Sequence, residues 1–345
     1  MLIKSLVEKF DPENQFDVLV NSFEQVKEAW ETNVDTGKIE LGRISNVVVS
    51  GLGGSAIAGD LLRNFLRGEL KLPYQVNRNY NLPSFVNENT LVIISSYSGN
   101  TEETISAMND ALKMKAQIIC LTTGGKISEL AEKNNLTVVN LKKGFQPRYA
   151  LYSSFFALLK VMQELKLISD QSVNVNEIIE LLKGKGIEYS DNNNRAFQLG
   201  EELVGFTPII YGVSDFTDAL AARFKGQLNE NSKVHAFFNV LPEMNHNEIV
   251  GWETFNELNN KYKVIQLNEV DYHPQVVKRI SVFGELIKKV GGTIISLQSD
   301  LGNHKSRLFD LVYLTDWISY YLAVQREKDP SEIDNIHYLK KVLTD

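Results

Sequence analysis

Cysteine is almost missing from this chain: Cys120 is the only one in 345 residues. One thiol makes neither an intramolecular disulfide framework nor a multi-cysteine metal site, and it suits a reducing compartment. No apolar run approaches the ~18 residues that cross a bilayer, so no membrane span is expected. The opening MLIKSLVEKFDPE turns acidic too soon for a signal peptide. Basic residues are outnumbered, 36 against 43 acidic, for a net charge of −7. That balance argues against broad nucleic-acid binding while leaving room for a local basic pocket. His235, His246, His273, His304 and His337 show no paired-ligand spacing. H-N-E is also not the H-E-x-x-H of a zinc helix, so no metal is expected. These absences leave a soluble cytoplasmic protein.

The composition that remains is that of a globular chain, 43% hydrophobic and 23% charged. Its 345 residues are about twice the ~150 of a common domain, so two domains are expected. Residues 1 to about 35 read as helical, with Leu19, Phe23, Val26 and Trp30 at three- and four-residue spacing. Short strand-like runs then alternate with helical segments: VVVS (47–50), YQVN (74–77), LVIISS (91–96), QIICLT (117–122) and LTVVN (136–140). Unalternating β-branched strands of this kind predict an α/β fold with a parallel sheet covered on both faces.

Helical stretches follow at about 149–167 and 175–204, the second broken by DNNN (191–194). Alternation resumes with TPIIYG (207–212), KVHAFF (233–238), YKVIQL (262–267) and GTIISL (292–297), before an apolar final helix over about 306–326. VVVSGLGGSAIAGDLLRNF (47–65) and IIYGVSDFTDALAARF (209–224) share the order strand, glycine turn, serine, helix. The chain therefore reads as a duplicated α/β unit, divided into residues 1–165, leading helix included, and 166–345.

GLGGSAIAGD (51–60) leaves a strand and opens a helix. Gly51, Gly53 and Gly54 allow backbone approach to a ligand, where the helix N–H groups and dipole favour an anion. Gly51, Gly53 and Ala56 also fit G-x-G-x-x-A, so a dinucleotide fold is one alternative and a tight turn without ligand another. The ribose-binding acid expected ~20 residues on is missing; Arg78 stands near there and suits the 2′-phosphate of NADP. SSYSGNTEET (95–104) favours a monosaccharide phosphate, because it supplies Ser96, Ser98 and Thr101 around Gly99 at a second strand-to-helix turn. Capping by Thr101 or Asn100, with Glu102 and Glu103 in the first turn, is the plainer reading, but it does not use all three hydroxyls.

FQPRYAL (145–151) sets Arg148 after a proline at the start of a long helix, where it opposes the macrodipole unless an anion compensates. Its charged fork suits a phosphate or a developing enediolate; a solvated arginine is the alternative. Glu230 lies between Asn229 and Asn231, and His246 between Asn245 and Asn247. Neutral amides orient a carboxylate and an imidazole without neutralising them, which suits proton transfer, although asparagine-rich turns explain either alone.

Together GLGGSAIAGD, SYSGNTEET, QPRYAL, NENSK and above all NVLPEMNHNEIVGW resemble the bifunctional phosphoglucose/phosphomannose isomerases of the sugar-isomerase (SIS) domain superfamily. The likeness runs from about residue 45 to about 335. It implies two SIS domains, each an αβα sandwich around a parallel sheet of about five strands, in a homodimer with active sites at the subunit contact. Position by position, it implies that Gly53, Gly54, Ser55, Ser96, Ser98 and Thr101 bind the phosphate and sugar, and that Arg148 stabilises the enediolate. Glu230 is implied as the base between C1 and C2. His246 is implied to open the pyranose ring from the partner subunit, and Thr315 to accompany acceptance of the mannose epimer. No cofactor and no metal are implied. The expected activity interconverts glucose 6-phosphate, and mannose 6-phosphate, with fructose 6-phosphate through a cis-enediol. A sugar-phosphate sensor is the alternative from another class; residues 1–45 are short and acidic for its DNA-binding domain, and a sensor has no use for Glu230 with His246.

Overall fold

The computed structural model describes residues 3–257 and 261–344, which cluster into two units, 1–20 with 181–345 and 21–180. The leading segment is three helices: α1 (Ile3–Phe10), α2 (Gln15–Val20) and α3 (Ser22–Glu31). Pro12 cannot continue α1. The Asp11 carboxylate instead takes the N–H groups of Gln15 (2.9 Å) and Phe16 (2.8 Å), starting α2.

Residues 21–180 continue with β1 (Asn46–Ser50), α4 (Gly53–Phe65), β2 (Tyr74–Asn77), β3 (Thr90–Ser96), α5 (Glu102–Lys113), β4 (Gln117–Thr122), α6 (Gly125–Lys133), β5 (Thr137–Asn140) and α7 (Leu151–Glu164). The strands form one parallel sheet in the order β2-β1-β3-β4-β5. Val48, Val92, Ile94, Ile118 and Cys120 make one core with Met108, Ala111, Ile127 and Ala131 of α5 and α6. Their strand neighbours Val47, Val49, Ile93, Ile119 and Leu121 are also buried. Helices on both faces therefore explain why these strands read as apolar runs with no polar alternation. The chain order reverses between β1 and β3, which opens a crevice at the carboxyl ends of those two strands.

α8 (Ser172–Ser190) leads into the other unit, followed by α9 (Arg195–Leu203), β6 (Thr207–Val213), α10 (Asp218–Glu230) and β7 (Phe237–Leu241). A 3-10 turn (Glu243–His246) and α11 (Glu248–Gly251) come next, then β8 (Tyr262–Asn268), α12 (Pro274–Lys289), β9 (Ile294–Gln298), α13 (His304–Gln325) and α14 (Asp334–Thr344). Asn194, last of the DNNN break, caps α9 by accepting from Phe197 N at 2.8 Å. The sheet is parallel with the order β7-β6-β8-β9. This repeats the first sheet's β2-β1-β3-β4, and the two similar motifs occupy β1–α4 and β6–α10, as the duplicated pattern predicts.

About five strands are expected in each half, and the first sheet has five. The second sheet has four among the described residues, because the chain leaves β9 directly for α13 and forms no counterpart of β5. β7 also begins at Phe237, later than the KVHAFF run suggests. Lys233 is held off the sheet by its Nζ bonds to the carbonyls of Asn231 (3.3 Å) and Asp329. The leading helices differ as well: α1 and α2 cluster with the C-terminal half. Tyr313 donates to Leu19 O (2.7 Å), Tyr320 to Asp11 Oδ2 (2.9 Å), and Phe16 meets Trp317 edge-on at 5.3 Å. α13 is thus enclosed nearly all round, as its apolar sequence predicts. Among the described residues no helix is long and apolar enough to cross a membrane.

Candidate active site

The crevice between β1 and β3 gathers most of the residues singled out in the first half. Gly51 and Gly54 serve the protein's own packing. A Cβ on Gly51 would sit 2.6 Å from Ser95 O, and one on Gly54 would sit 2.6 Å from Pro147 O. The glycine loop is thereby pressed against the end of β3 on one side and the Arg148 segment on the other. Gly53, at φ +51°, has open space where a Cβ would stand, so it alone of the three leaves room for a ligand against the backbone.

Ser55 is buried in the first turn of α4, its Oγ accepting from Tyr97 N at 3.2 Å. Ser96 Oγ and Thr101 Oγ1 lie 3.0 Å apart, and Ser96 Oγ also accepts from Gly99 N at 3.2 Å. Thr101 holds the N-cap position of α5, yet its side chain makes no capping bond. Asn100 turns to the neighbouring helix, accepting from Lys126 N at 3.0 Å. The capping explanation of these residues is therefore set aside. Ser98 is exposed, with Asn100 N donating to its Oγ at 3.3 Å. Glu102 points out to solvent, where Tyr80 donates to it at 3.5 Å. This relieves the repulsion a phosphate would meet beside it.

Arg148 is buried beside the ring of Tyr149, with its guanidinium carbon 5.5 Å from the centroid. It sits in the turn before α7, since Tyr149 N and Ala150 N both return to Gln146 O (2.8 and 3.1 Å) and the helix begins at Leu151. The helix-start placement is corrected accordingly. Arg78 is ion-paired with Asp60 on α4, which takes up the charge proposed for a 2′-phosphate.

In the other unit, Glu230 is the last residue of α10 and half-buried. Its flanking amides also bond to the chain around it. Asn229 donates to Val234 O (2.8 Å) and Asn231 to Ser319 Oγ (3.0 Å), so both fix the chain on either side of the carboxylate. Ser232 Oγ adds a 2.6 Å bond to Ser319 O. His246 closes the 3-10 turn and is exposed. Asn247 Oδ1 accepts from Glu248 N at 2.6 Å, and Asn245 Nδ2 reaches Met244 Sδ at 3.0 Å, so these amides too serve the local chain. Thr315 has 0% exposure, and its hydroxyl donates to Val312 O at 2.9 Å inside α13.

Sequence reasoning missed Tyr211, Asn239, Glu248 and Trp252. Glu248 accepts from the Tyr211 hydroxyl and the Asn239 amide, and Trp252 Nε1 donates to Tyr211 Oη at 3.1 Å. Burial, and then the Glu248 carboxylate, push the Tyr211 phenol well above its ordinary range, so it stays protonated as a donor. The signal was present in NHNEIVGW, where a glutamate and a tryptophan sit four residues apart.

The second sheet's carboxyl edge is filled by its own side chains. Thr217 Oγ1 accepts from Val213 N (3.0 Å) and pairs with Tyr272 Oη (2.7 Å). Buried Arg307 pairs with Glu269 at 2.6 Å and Asp271 at 2.7 Å. The first edge offers small hydroxyls at the surface and just beneath it, at Ser98, Thr101, Ser96 and Ser55.

Two family models match the chain: "SIS domain" over residues 40–165 and "Bacterial phospho-glucose isomerase C-terminal SIS domain" over 192–343. A bifunctional phosphoglucose/phosphomannose isomerase of Caldicellulosiruptor bescii is 40% identical over 335 residues, covering 96% of this chain and 99% of that one. Its counterpart in Aquifex aeolicus is 35% identical, covering 86% and 90%. Among solved structures, a hypothetical protein of Thermus thermophilus aligns with a TM-score of 0.75 at 14% identity, covering 99% of this chain and 92% of that one, a likeness of fold alone.

Proposed function

We propose a mechanism for a chain that belongs to the bifunctional phosphoglucose/phosphomannose isomerase family. It is an isomerase of glucose 6-phosphate and mannose 6-phosphate, with fructose 6-phosphate as the shared ketose. Ser55, Ser96, Ser98 and Thr101 hold the phosphate and the adjoining sugar hydroxyls at the β1/β3 crevice. Small rotating hydroxyls at two helix starts, where the helix dipole is positive, match an anion with several acceptor oxygens. The carrying observation is the 3.0 Å approach of Ser96 Oγ to Thr101 Oγ1, a hydroxyl pair at a helix start where capping has been ruled out.

His246 moves a proton between the ring oxygen and the C1 hydroxyl, releasing the open aldehyde. Glu230 takes the C2 proton and returns it at C1, while the oxygen at C1 gains negative charge and then takes up a proton, matched by the one the C2 hydroxyl gives up as C2 becomes the carbonyl. Arg148 offsets that charge, and the cis-enediol so formed is common to both epimers because C2 is planar in it. The work asked of a Lewis acid falls to a guanidinium, so the reaction runs without metal. We propose further that the enzyme is a cytoplasmic homodimer and that each site takes its His246 from the partner.

A coupled assay with both aldose phosphates, run with a chelator present, tests activity and metal independence together. Glu230→Gln is expected to lower kcat by about 100-fold to 10,000-fold, the ordinary worth of a positioned base. Binding of sorbitol 6-phosphate, a linear hexitol phosphate with no carbonyl to make a neighbouring C–H acidic, should stay within about twofold, since the phosphate grip is untouched. Substantial residual turnover would remove Glu230 from the role of base.

A further inference from the structure

We infer that Tyr211 and Glu248 are positioning residues for His246, and that ring opening is the step they serve; this rests on the role given to His246 above. The imidazole lies on a segment whose own backbone bonds are all short-range: Asn245 N to Pro242 O (3.1 Å), Asn247 N to Met244 O (3.4 Å) and Val250 N to Asn247 O (3.2 Å). Such a turn holds its shape locally but not its place on the sheet. Placement comes from side chains on both sides of the histidine. Two residues before it, Met244 is fully buried in the core with Tyr211 and Trp252. Two residues after it, Glu248 is tied down by Tyr211 and Asn239, and Trp252 is buried beyond. His246 and Asn247 are left exposed between the anchors.

The anchor is built from one rung of the sheet. Tyr211 of β6 and Asn239 of β7 are register partners, and both donate to the same carboxylate. Glu248 has to be a carboxylate to accept from both, because an amide at that position would turn an N–H₂ toward one donor. Trp252 Nε1 completes the rung by donating to the Tyr211 oxygen. The bonds to Glu248 are charge-assisted and partly buried, hence stronger than the neutral bonds of the turn. Asn247 Oδ1 then carries the fix back toward the histidine by accepting from Glu248 N.

The test uses the full-length protein and Glu248→Gln, a near-isosteric change, with Tyr211→Phe alongside. Ring opening is read separately from isomerisation as the exchange rate between the α and β anomers of glucose 6-phosphate, measured by NMR. Loosening the imidazole by a fraction of an ångström to ~1 Å is expected to slow anomer exchange by about tenfold to 100-fold. Sorbitol 6-phosphate, already linear, should bind within about twofold of the parent, which a general loss of structure would not allow. In a His246→Ala background, Glu248→Gln should slow anomer exchange no further. Unchanged anomer exchange in Glu248→Gln overturns the inference, as does an equal loss of sorbitol 6-phosphate binding, or a further loss in the His246→Ala background. If Tyr211→Phe fails to fold, Glu248→Gln alone decides. Anomer exchange that survives His246→Ala itself rejects the role of the histidine, a failure distinct from that of the anchor.

Discussion

Arg223 and Asp316 form an ion pair at 2.9 Å with each side chain only 3% exposed. Gln227 donates to the same Asp316 oxygen at 2.6 Å, and Asn231, four residues further along the chain, reaches Ser319. Positions 223 and 227 of α10 and its C-cap Asn231 follow one another at four-residue spacing, so a polar seam seats the Glu230 end of that helix on α13. Asp316→Asn removes the carboxylate charge from this buried ion pair and is expected to cost about 3 kcal/mol. Urea unfolding reads this directly, and kcat should fall with it as the Glu230 end of α10 loosens. Replacing the pair together, Arg223→Met with Asp316→Leu, should recover most of the stability. A midpoint unmoved by Asp316→Asn would show that the seam holds nothing.

Arg148 is assigned to charge that develops during the reaction, so its removal should show in the chemical step. Arg148→Ala is expected to lower kcat by about 100-fold to 1,000-fold, the cost of losing one preorganised donor to an oxyanion. A linear five-carbon aldonate carrying a 5-phosphate presents a planar carboxylate where the enediolate forms. Its affinity should drop nearly as much as kcat, whereas sorbitol 6-phosphate should change little. Equal weakening of both ligands would move Arg148 to the phosphate instead. Arg148→Lys should recover only part of the loss, since an ammonium lacks the planar fork.

The strands were legible because burial on both faces writes them as short β-branched runs, and QIICLT matches β4 residue for residue. The count expected for the second sheet came from likeness to a family and not from the runs themselves, which number four in that half. Two kinds of information stayed hidden. The packing of α1 and α2 against α13 depends on Tyr313, Tyr320 and Trp317, residues about 300 positions away in sequence, and periodicity carries no record of long-range partners. The asparagines around Glu230 and His246 were visible as residues, but their hydrogen bonds run to the chain and to Ser319. An amide's partner depends on the fold around it, so bonds such as that of Asn231 to Ser319 could not be read from the neighbouring residues.

Gly54 gives a sharp steric test of the crevice. A methyl group there meets Pro147 O at 2.6 Å, and backbone on both sides leaves little to yield. Gly54→Ala is expected to destabilise the protein by about 1–3 kcal/mol, as overpacking does. It should also raise KM, because the displaced segment carries Arg148. Thermal unfolding and steady-state kinetics read the two effects. A variant with parental stability and KM would mean that the glycine loop and the Arg148 segment are not in contact in solution.

Cys120 lies in the sheet core, and burial pushes its thiol up to about 12. At pH 8 it is therefore protonated as well as enclosed, and an alkylating reagent should modify the native protein far more slowly than the urea-unfolded chain. Mass spectrometry after timed iodoacetamide treatment gives both rates. Labelling that keeps pace with a free thiol would contradict the packing of β4 between its helices.

Glu230 and His246 are proposed to move different protons, and on that proposal chains lacking one or the other can repair each other only if the histidine crosses between subunits. Glu230→Gln and His246→Ala chains are each expected to be inactive alone. After unfolding, mixing in equal amounts and refolding, half of the dimers carry one chain of each kind. If each site takes its glutamate from one chain and its histidine from the other, one site in every such dimer has both wild-type groups, giving about one quarter of parental activity. If both groups come from the same chain, every site in every dimer lacks one of them. Native mass spectrometry establishes that mixed dimers have formed, and a mixture that then stays silent places His246 at the site of its own subunit.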